Sequence, residues 1–325
     1  MGLILGVDGG NSKTELLVAT TDGEPVAYLR GAGTNSHGVG VQGVVVVVGR
    51  MLEHARIEER PGHGVFFLCG ADVPSDIAEL AEAVERAGWV GEARVDNDTF
   101  ALLRAGSDAA DAVAVVCGAG INCVGRAADG RIARYPGLGW ETGDWGGSEM
   151  LGRDALFHAA RAEDGRGDAT VLADALRAHF GIDVAALGED IHYKRLRSER
   201  LGEIAPAVLD AAERGDTVAC QLVGRLAEEI ALLAVRGLRD LGLLERPSDT
   251  VLGGGMLGER CGVLVGEVVA RLERRAPQTR PVLAPARPVL GSALAALDAA
   301  GVPLAAHEHL RERFAGMRVE DVRER

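Results

Sequence analysis

The stretch Val95-Asp96-Asn97-Asp98-Thr99-Phe100-Ala101-Leu102 passes from a β-branched residue into a run of helix formers. It predicts a strand, Ala93–Val95, that delivers Asn97-Asp98 to the start of a helix. An aspartate at such a junction is often a helix N-cap, and this alternative stays open for Asp98 from the residues alone. Glycine-rich turns stand before and after this stretch in the chain, at Gly9–Thr14, Gly118–Asn122 and Gly253–Gly258.

The first thirty residues predict an antiparallel start rather than a βαβ unit. Leu3–Val7 is an apolar run typical of a buried strand, and two further strands, Thr14–Thr20 and Pro25–Arg30, follow a tight turn. Glycines in that turn allow backbone amides to approach phosphate oxygens, with polar side chains adding donors. The candidate phosphate ligands are Gly9, Gly10, Asn11, Ser12 and Lys13, and Asp8 is a candidate Mg²⁺ ligand through water. The alternative is an ordinary hairpin turn.

The next segment predicts alternating helices and strands. A polar loop at 31–40 contains Asn35, and Gly38–Arg56 favours a helix although its five consecutive valines also suit a strand. Val65–Cys69 then predicts a strand and Ser75–Ala87 a helix with one apolar face.

The second half of the chain repeats the opening pattern. Ala112–Cys117 predicts a strand that runs into Gly118-Ala119-Gly120-Ile121-Asn122, and strands at Cys123–Arg126 and near Ile132–Tyr135 follow on either side of Asp129-Gly130. Such a repeat, with a glycine turn at the same place in each copy, predicts two like domains that present their turns to a shared cleft. Two unrelated hairpins are the alternative.

The remainder combines a glycine-rich loop, a helical region and a last βα pattern. The loop Pro136–Gly147 contains Trp140, Glu141, Asp144 and Trp145, a mixture of aromatic faces and carboxylates that suits a sugar site. Helices are predicted over Ser148–Ala162, Ala169–Phe180, Ser198–Glu213, Asp216–Leu241, Cys261–Arg275 and Pro288–Ala300, strands over Thr250–Leu252 and Pro281–Ala284, and a charged surface tail over Ala305–Arg325.

Composition excludes several classes of protein. At 325 residues, with 47% hydrophobic residues, the chain can form about two globular domains. Its net charge of −13 disfavours nucleic acid and anionic membranes as partners. Five scattered cysteines provide neither a disulfide framework nor a zinc knuckle. The short apolar N-terminal run does not suit a signal peptide, and no stretch reaches 18 apolar residues, so a cytoplasmic location is expected.

Common catalytic motifs are absent or weak. Gly253–Gly258 matches G-x-G-x-x-G, but a lone match so late in the chain is poor evidence for a dinucleotide site. No Gly-Lys pair exists for a Walker A loop, no H-x-x-x-H spacing for zinc and no G-x-S-x-G for an α/β-hydrolase.

Five motifs in order carry a resemblance instead. They are Gly6-Val-Asp-Gly-Gly-Asn-Ser-Lys-Thr14, Asn97-Asp98, Gly118-Ala-Gly-Ile-Asn122, Gly139-Trp140 with Gly143-Asp144, and Val251-Leu-Gly-Gly-Gly255. This sequence resembles the N-acetylglucosamine kinases and BadF-type (BadF/BadG/BcrA/BcrD) ATPases of the actin-like and sugar-kinase superfamily. The resemblance implies an α/β fold of two ribonuclease-H-like domains, with ATP and sugar in the interdomain cleft. We place the N-terminal domain at 1–109 and the C-terminal one at 110–325, with a helical insertion at about 148–244 and a C-terminal tail.

The resemblance also implies a role for each matching residue. Asp98 falls on the catalytic base, while Asn35, Asn97, Asn122, Gly139, Trp140 and Asp144 fall on sugar-contacting positions. The first phosphate loop is Gly9–Lys13, the second contains Gly118, Ala119 and Gly120, and the adenosine turn contains Gly254, Gly255 and Gly258. The second loop usually reads Gly-Thr-Gly-Ser-Asn, so Ala119 and Ile121 replace two hydroxyls here, and Trp145 replaces a glutamate common after the sugar-binding aspartate.

Two functions follow from this resemblance. The first is an ATP- and Mg²⁺-dependent kinase that phosphorylates the 6-hydroxyl of an amino sugar, N-acetylglucosamine or glucosamine. The second is an ATPase that activates a partner enzyme through an iron–sulfur cluster held by cysteines between two subunits, for which Cys117 and Cys123 form no evident pair. Superfamily members are often dimers, which allows a homodimer, but the sequence decides neither the sugar nor the oligomeric state.

Overall fold

The computed structural model describes residues 2–258, 261–285 and 287–322. In chain order the strands are β1 (Leu3–Gly9), β2 (Lys13–Thr20), β3 (Pro25–Ala32), β4 (His63–Leu68), β5 (Glu92–Asn97), β6 (Ala112–Cys117), β7 (Ile121–Arg126), β8 (Ile132–Arg134), β9 (Ser248–Gly253), β10 (Thr279–Leu283) and β11 (Glu320–Asp321). The α-helices are α1 (Ser36–Ala55), α2 (Pro74–Ala87), α3 (Thr99–Gly106), α4 (Gly147–Glu163), α5 (Leu172–Phe180), α6 (Val184–His192), α7 (Ala205–Glu213), α8 (Thr217–Asp240), α9 (Gly262–Arg275), α10 (Val289–Ala299) and α11 (Leu304–Ala315). Short 3₁₀ helices span Trp140–Thr142, Ser198–Ile204 and Gly255–Leu257.

The chain divides into two units, one made of Met1–Asp108 with Ala284–Arg325 and the other of Ala109–Leu283. The predicted boundary after residue 109 lies one residue from this division. The predicted assignment of 284–325 to the second domain is different from what the structure shows, because this segment returns to the first unit. The last three residues of the predicted tail lie outside the described residues.

The first unit contains a sheet in the order β11-β3-β2-β1-β4-β5. β1, β2 and β3 are antiparallel neighbours, whereas β4 and β5 run parallel to β1. Side chains on one face of the sheet, including Leu5 and Val7, form a core with Val44 and Val48 of α1. These helical valines are four residues apart and therefore share one face of α1, which confirms the helix predicted for this valine-rich segment.

The other face of β1 is covered by α10. A Cβ built on Gly6 would lie 2.3 Å from the backbone nitrogen of Ala293, so strand and helix are in direct backbone contact. Nearly all of α10 is buried, because its Ala- and Leu-rich sequence can pack on every side. This close contact is what joins the C-terminal segment to the first unit.

The second unit repeats the strand plan of the first. Its sheet has the order β10-β9-β6-β7-β8, in which β6, β7 and β8 are antiparallel neighbours and β9 and β10 run parallel to β6. Each strand thus has a counterpart in the first sheet, with β6 corresponding to β1 and β9 to β4. The predicted internal repeat and α/β fold class are confirmed, since both sheets place a glycine turn between their first two strands.

The helical region of the second unit follows β8, within the predicted insertion. Its main helix, α8, begins at an N-cap, Asp216, whose carboxylate accepts from the Ala219 amide at 2.9 Å. The apolar stripe of α8 includes Leu222, Leu226 and Ile230, spaced by four residues and fully or almost fully buried. The predicted helix at 198–213 is divided into a 3₁₀ segment followed by α7, and α6 is an additional short helix.

Candidate functional site

Three parallel strands of the first unit end side by side. Gly9 of β1 pairs with Leu68 of β4, and Leu68 pairs with Asn97 of β5. The carboxyl ends of parallel strands are where α/β folds place ligand-binding loops. Asp8 and Asp98 therefore lie at the same edge of the sheet.

Asp98 lies in the turn between β5 and α3, with a half-buried side chain that makes no helix-capping hydrogen bond. The Thr99 amide donates to the side-chain oxygen of Asn97 at 2.9 Å. Burial and the negative charge of Asp72 raise the pKa of Asp98 to about 7, while hydrogen bonding from Thr99 holds it down. A carboxylate that is not used for capping and titrates near neutral pH is suited to accept a proton.

The Asp8 carboxylate lies near two other acidic groups and one basic group. Burial raises its pKa well above the ordinary value, Asp98 and Glu15 raise it further, and Lys13 lowers it. Glu15 is directly opposite Asp8 on β2 and is completely buried. Within the described ranges no group of three potential ligands could hold a metal directly. The donor set fits Mg²⁺ held through water, because a hydrated cation would balance this charge without needing three protein ligands.

The first glycine turn is tied to the loop before α1. The Gly10 amide donates to the carbonyl of Lys13 at 2.9 Å, and the Thr34 amide donates to the carbonyl of Gly10 at 3.0 Å. A Cβ at Gly9 would lie 2.3 Å from the Thr34 hydroxyl oxygen and 2.6 Å from Leu68 Cδ2, so a larger residue would require these side chains to move. The turn keeps a defined shape with Asn11 and Ser12 exposed.

Two predicted ligands next to this turn have partners in the protein. Lys13 Nζ lies 3.0 Å from Glu15 Oε1. Asn35 is the N-cap of α1, where its side-chain oxygen accepts from the His37 amide at 3.0 Å while its amide nitrogen donates to Asn11 Oδ1 at 3.2 Å. The structure therefore brings Asn35 together with the predicted phosphate loop.

In the second unit, the second and third glycine turns lie on neighbouring parallel strands. A Cβ at Gly254 would lie 2.4 Å from the carbonyl oxygen of Cys117, and Gly254 has a φ of 95°. Both facts require glycine at this position. Gly255 and Gly258 are exposed beside it. The structure thus places the predicted adenosine turn next to the predicted second phosphate loop.

The second loop is anchored to the start of α4. The amides of Ser148 and Glu149 donate to the carbonyls of Gly118 and Ala119 at 2.8 and 3.1 Å. Ala119 and Gly120 are exposed, whereas Ile121 is buried in the core of the unit. The methyl group of Ala119 and the sec-butyl group of Ile121, which stand where related sequences carry hydroxyls, thus lie in different environments.

The tryptophan-containing loop offers one exposed aromatic face. Trp140 is 62% exposed, but Trp145 is only 3% exposed and its ring packs 3.9 Å from the Arg225 guanidinium. Asp144 is oriented by the Thr142 hydroxyl, which donates to its carboxylate at 2.8 Å. The expectation that both tryptophans serve a sugar is therefore wrong for Trp145, which is a core residue.

An acidic group that was not predicted from the sequence lies near Asp98. Asp72 lies in the loop after β4 and accepts from the Asn97 side-chain amide at 2.8 Å. Asp76 lies beyond it, 3.4 Å from His37 Nε2. The sequence feature that could have identified Asp72 is its position just after the strand predicted at Val65–Cys69. This strand pairs with the strand that precedes Asp98.

A model of the BadF/BadG/BcrA/BcrD ATPase family matches residues 5–296. The chain therefore belongs to this ATPase family. Among the described residues, no helix combines the length and apolar character needed to span a bilayer.

Two curated relatives are sugar kinases. The N-acetylmuramic acid/N-acetylglucosamine kinase of Clostridium acetobutylicum is 24% identical over 267 residues, covering 79% of this chain and 86% of that protein. The N-acetyl-D-glucosamine kinase of Dictyostelium discoideum is 24% identical over 315 residues, covering 91% of this chain and 98% of that protein.

Solved structures share the fold. A protein of Chromobacterium violaceum is 21% identical, with a TM-score of 0.70 over 90% of this chain and 98% of that one. A ROK family glucokinase from Streptomyces griseus, solved with glucose and AMPPNP, is 20% identical, with a TM-score of 0.55 over 91% of this chain and all of that one (100%). The family and the fold class predicted from the sequence are both confirmed.

Proposed function

We propose that the protein transfers the γ-phosphoryl group of ATP to the 6-hydroxyl group of an amino sugar, N-acetylglucosamine or glucosamine. An ATP-dependent carbohydrate kinase is the class of both curated relatives. The observation that carries the proposal is Asp98, a carboxylate directly after β5 whose side chain makes no helix-capping hydrogen bond and whose pKa is raised by burial to about 7.

In this proposal Asp98 is the general base. Its carboxylate accepts the proton of the sugar hydroxyl as the oxygen of that hydroxyl bonds to the γ-phosphorus, and the bond from phosphorus to the ADP oxygen breaks. Backbone amides of the glycine turns would hold the phosphates, through Gly9–Lys13 and Gly118–Gly120. Gly254, Gly255 and Gly258 would bound the adenosine.

Mg²⁺ is part of the proposal. Asp8 would hold the ion through water, and the ion would neutralise phosphate charge when bound. The raised pKa of Asp8, caused by burial and then by Asp98 and Glu15, supports this assignment because a carboxylate in such surroundings gains from a nearby cation.

The sugar would be bound by the residues matched to that role: Asn35, Asn97, Asn122, Gly139, Trp140 and Asp144. Trp140 offers an exposed ring face for the sugar C–H groups, and Asp144 offers a carboxylate already oriented by Thr142. Asn35 and Asn97 have partners within the protein, so their contribution would come from the remaining hydrogen-bonding capacity of each amide.

A coupled ADP-release assay with a panel of sugars tests the proposal. The panel contains N-acetylglucosamine, glucosamine, N-acetylmuramic acid and glucose, with the 6-deoxy analogue of each sugar that is turned over. We expect ADP release with an amino sugar and none with its 6-deoxy form. ATP hydrolysis that no sugar stimulates would contradict the proposal.

Asp144→Ala should weaken sugar binding much more than ATP binding. A carboxylate that accepts from ligand hydroxyls leaves them unpaired when it is removed. We expect apparent sugar affinity to fall by about 10-fold or more, which corresponds to at least ~1.4 kcal/mol. Calorimetry with sugar and with ATP measures both affinities.

Glu141→Ala is the control, since Glu141 is an exposed acid of the 3₁₀ helix just before Asp144 and is not among the residues matched to the sugar. It should leave both affinities within about twofold of the unsubstituted protein, well under 1.4 kcal/mol. If Asp144→Ala had normal sugar affinity but impaired nucleotide binding, Asp144 would be a residue of the nucleotide site and not of the sugar site.

The alternative of a partner-activating ATPase finds less support. Cys117 and Cys123, the cysteines nearest a glycine turn, are fully buried. Burial raises the pKa of Cys117 to about 12 and that of Cys123 further. Thiols in such surroundings are poor thiolate ligands for a cluster between subunits. An iron assay on anaerobically purified protein distinguishes the alternatives. A cytoplasmic location and a homodimer stay predictions.

A further inference from the structure

We propose that Asp72 is a positioning residue for the proposed catalytic base: through Asn97 it fixes the turn that carries Asp98, and its negative charge acts on the Asp98 carboxylate. The inference rests on the proposed function, because it concerns the same site. Asp72 is not among the residues matched to a ligand by the family resemblance.

Asp72 holds the residue before Asp98 in place. Asn97 is 4% exposed, and its side chain is held at both ends. Its amide nitrogen donates to Asp72 at 2.8 Å, and its oxygen accepts from the Thr99 amide at 2.9 Å. Asp72 thus joins the loop after β4 to the turn at the end of β5. Removing this acceptor would release the residue that directly precedes Asp98.

The internal repeat gives independent support for this placement. β9 is the counterpart of β4, because each lies parallel beside the first strand of its sheet. The loop after β9 begins at Gly254, in the predicted adenosine turn, and the loop after β4 contains Asp72. The two loops are equivalent in the repeat, so the Asp72 loop lies at a ligand-binding edge in the first unit.

The negative charge of Asp72 also acts on Asp98. The groups that face Asp98 are Asp8 from β1, Cys69 from the end of β4 and Asp72 from the following loop. After burial, Asp72 is the main cause that raises the pKa of Asp98. Burial and Asp76 raise the pKa of Asp72 itself, while His37 and the Asn97 amide lower it. A base with raised proton affinity is a better match for neutral pH.

Asp72→Asn separates charge from position. The amide oxygen of asparagine can still accept from Asn97, while the charge is lost. We expect the acid limb of the kcat/KM profile to move down by about one pH unit, because a like charge near Asp98 has been removed. At pH 8, kcat should fall about three- to tenfold because the base is weaker, with KM for sugar and ATP within about twofold. Asp72→Ala, which also removes the acceptor, should lose about a further tenfold in kcat.

Two controls complete the kinetic test. Glu79→Gln removes an exposed charge of α2 and should leave the limb in place. Asp72→Glu keeps the negative charge, so the acid limb of its kcat/KM profile should lie at the same pH as in the unsubstituted protein. An unchanged limb in Asp72→Asn would overturn the proposal. The proposal would also be overturned if Asp72→Asn raised the KM for sugar about tenfold or more (~1.4 kcal/mol) while the acid limb of the kcat/KM profile stayed in place. That result would make Asp72 a sugar ligand.

A substrate-free measurement separates this proposal from the proposed function. Aspartate labelled with ¹³C at the carboxyl carbon allows Asp98 to be titrated by NMR, with its signal assigned from its loss in Asp98→Asn. The midpoint should be lower by about one pH unit in Asp72→Asn, whether or not any sugar is phosphorylated. An identical midpoint in both proteins would refute the role of Asp72. Asp72→Ser replaces Asp72→Asn if the latter does not fold.

Discussion

Asp98→Asn should lower turnover at least ~10²-fold while folding and ATP affinity stay nearly unchanged. Base assistance is typically worth about 10²–10⁴-fold, and the substitution removes the base while preserving side-chain size. A purely structural role as helix cap is not supported, because the Asp98 side chain makes no capping hydrogen bond and the Thr99 amide donates to Asn97. Steady-state rates with an accepted sugar, together with ATP calorimetry, measure the effect.

Asp96→Asn is the matched control for this experiment. Asp96 is 4% exposed, two residues from Asp98, and accepts from the Asn97 amide at 3.0 Å, but it is not in the proposed catalytic machinery. Its turnover should stay within about threefold of the unsubstituted rate, or ~0.7 kcal/mol. If Asp98→Asn kept more than about a tenth of its rate, Asp98 would be a structural residue.

The unsubstituted protein and Asp98→Asn should differ in the pH dependence of kcat/KM and of stability. With a pKa of about 7, Asp98 is increasingly protonated as pH falls below 7, so kcat/KM should fall on the acid side. Asp98→Asn should show no such limb. The folded protein also retains a proton that the unfolded chain releases near pH 4, so Asp98 costs stability as pH rises from about 4 to 7. Thermal unfolding at pH 8 should therefore find Asp98→Asn at least as stable as the unsubstituted protein.

The sequence predicts those parts of the fold that follow from local pattern. The strand–glycine turn–strand repeat is visible because each copy combines β-branched runs with turn residues that have specific conformational uses. Asp98 could be placed at the junction of a strand and a helix because a short apolar strand precedes it and helix formers follow it.

Other features depend on contacts between distant segments and are not predictable from local pattern. The return of α10 to the first sheet depends on Gly6, which allows backbone contact with Ala293. Trp140 and Trp145 are five residues apart in one loop, yet Trp140 is exposed while Trp145 belongs to the apolar core of the second unit and also packs against Arg225. The bond from Asn97 to Asp72 joins residues 25 apart, so it could not be inferred from either sequence neighbourhood.

The contact between α3 and α10 supports the Asp98 turn from behind. A Cβ at Gly291 would lie 1.9 Å from the carbonyl oxygen of Ala101 and 2.7 Å from the Ala105 nitrogen. Beside this contact, Arg104 makes hydrogen bonds of 2.7 and 3.1 Å to the two carboxylate oxygens of Asp298. The helix that follows Asp98 is therefore held against α10 by backbone contact and by an ion pair between the buried Arg104 and the exposed Asp298.

Gly291→Ala should destabilise the protein by at least about 2 kcal/mol, because the added methyl meets backbone atoms that cannot rotate away. Gly266→Ala is the matched control: Gly266 lies exposed in α9, and a Cβ there meets nothing within 4 Å. That variant should gain up to about 1 kcal/mol from helix propensity alone, so the two substitutions should have opposite signs. Thermal unfolding should show Gly291→Ala lower by about 5 °C or more. A Gly291→Ala variant as stable as Gly266→Ala would show that α3 and α10 are not in backbone contact, and the support for Asp98 would have to come from β5 and Asn97 alone.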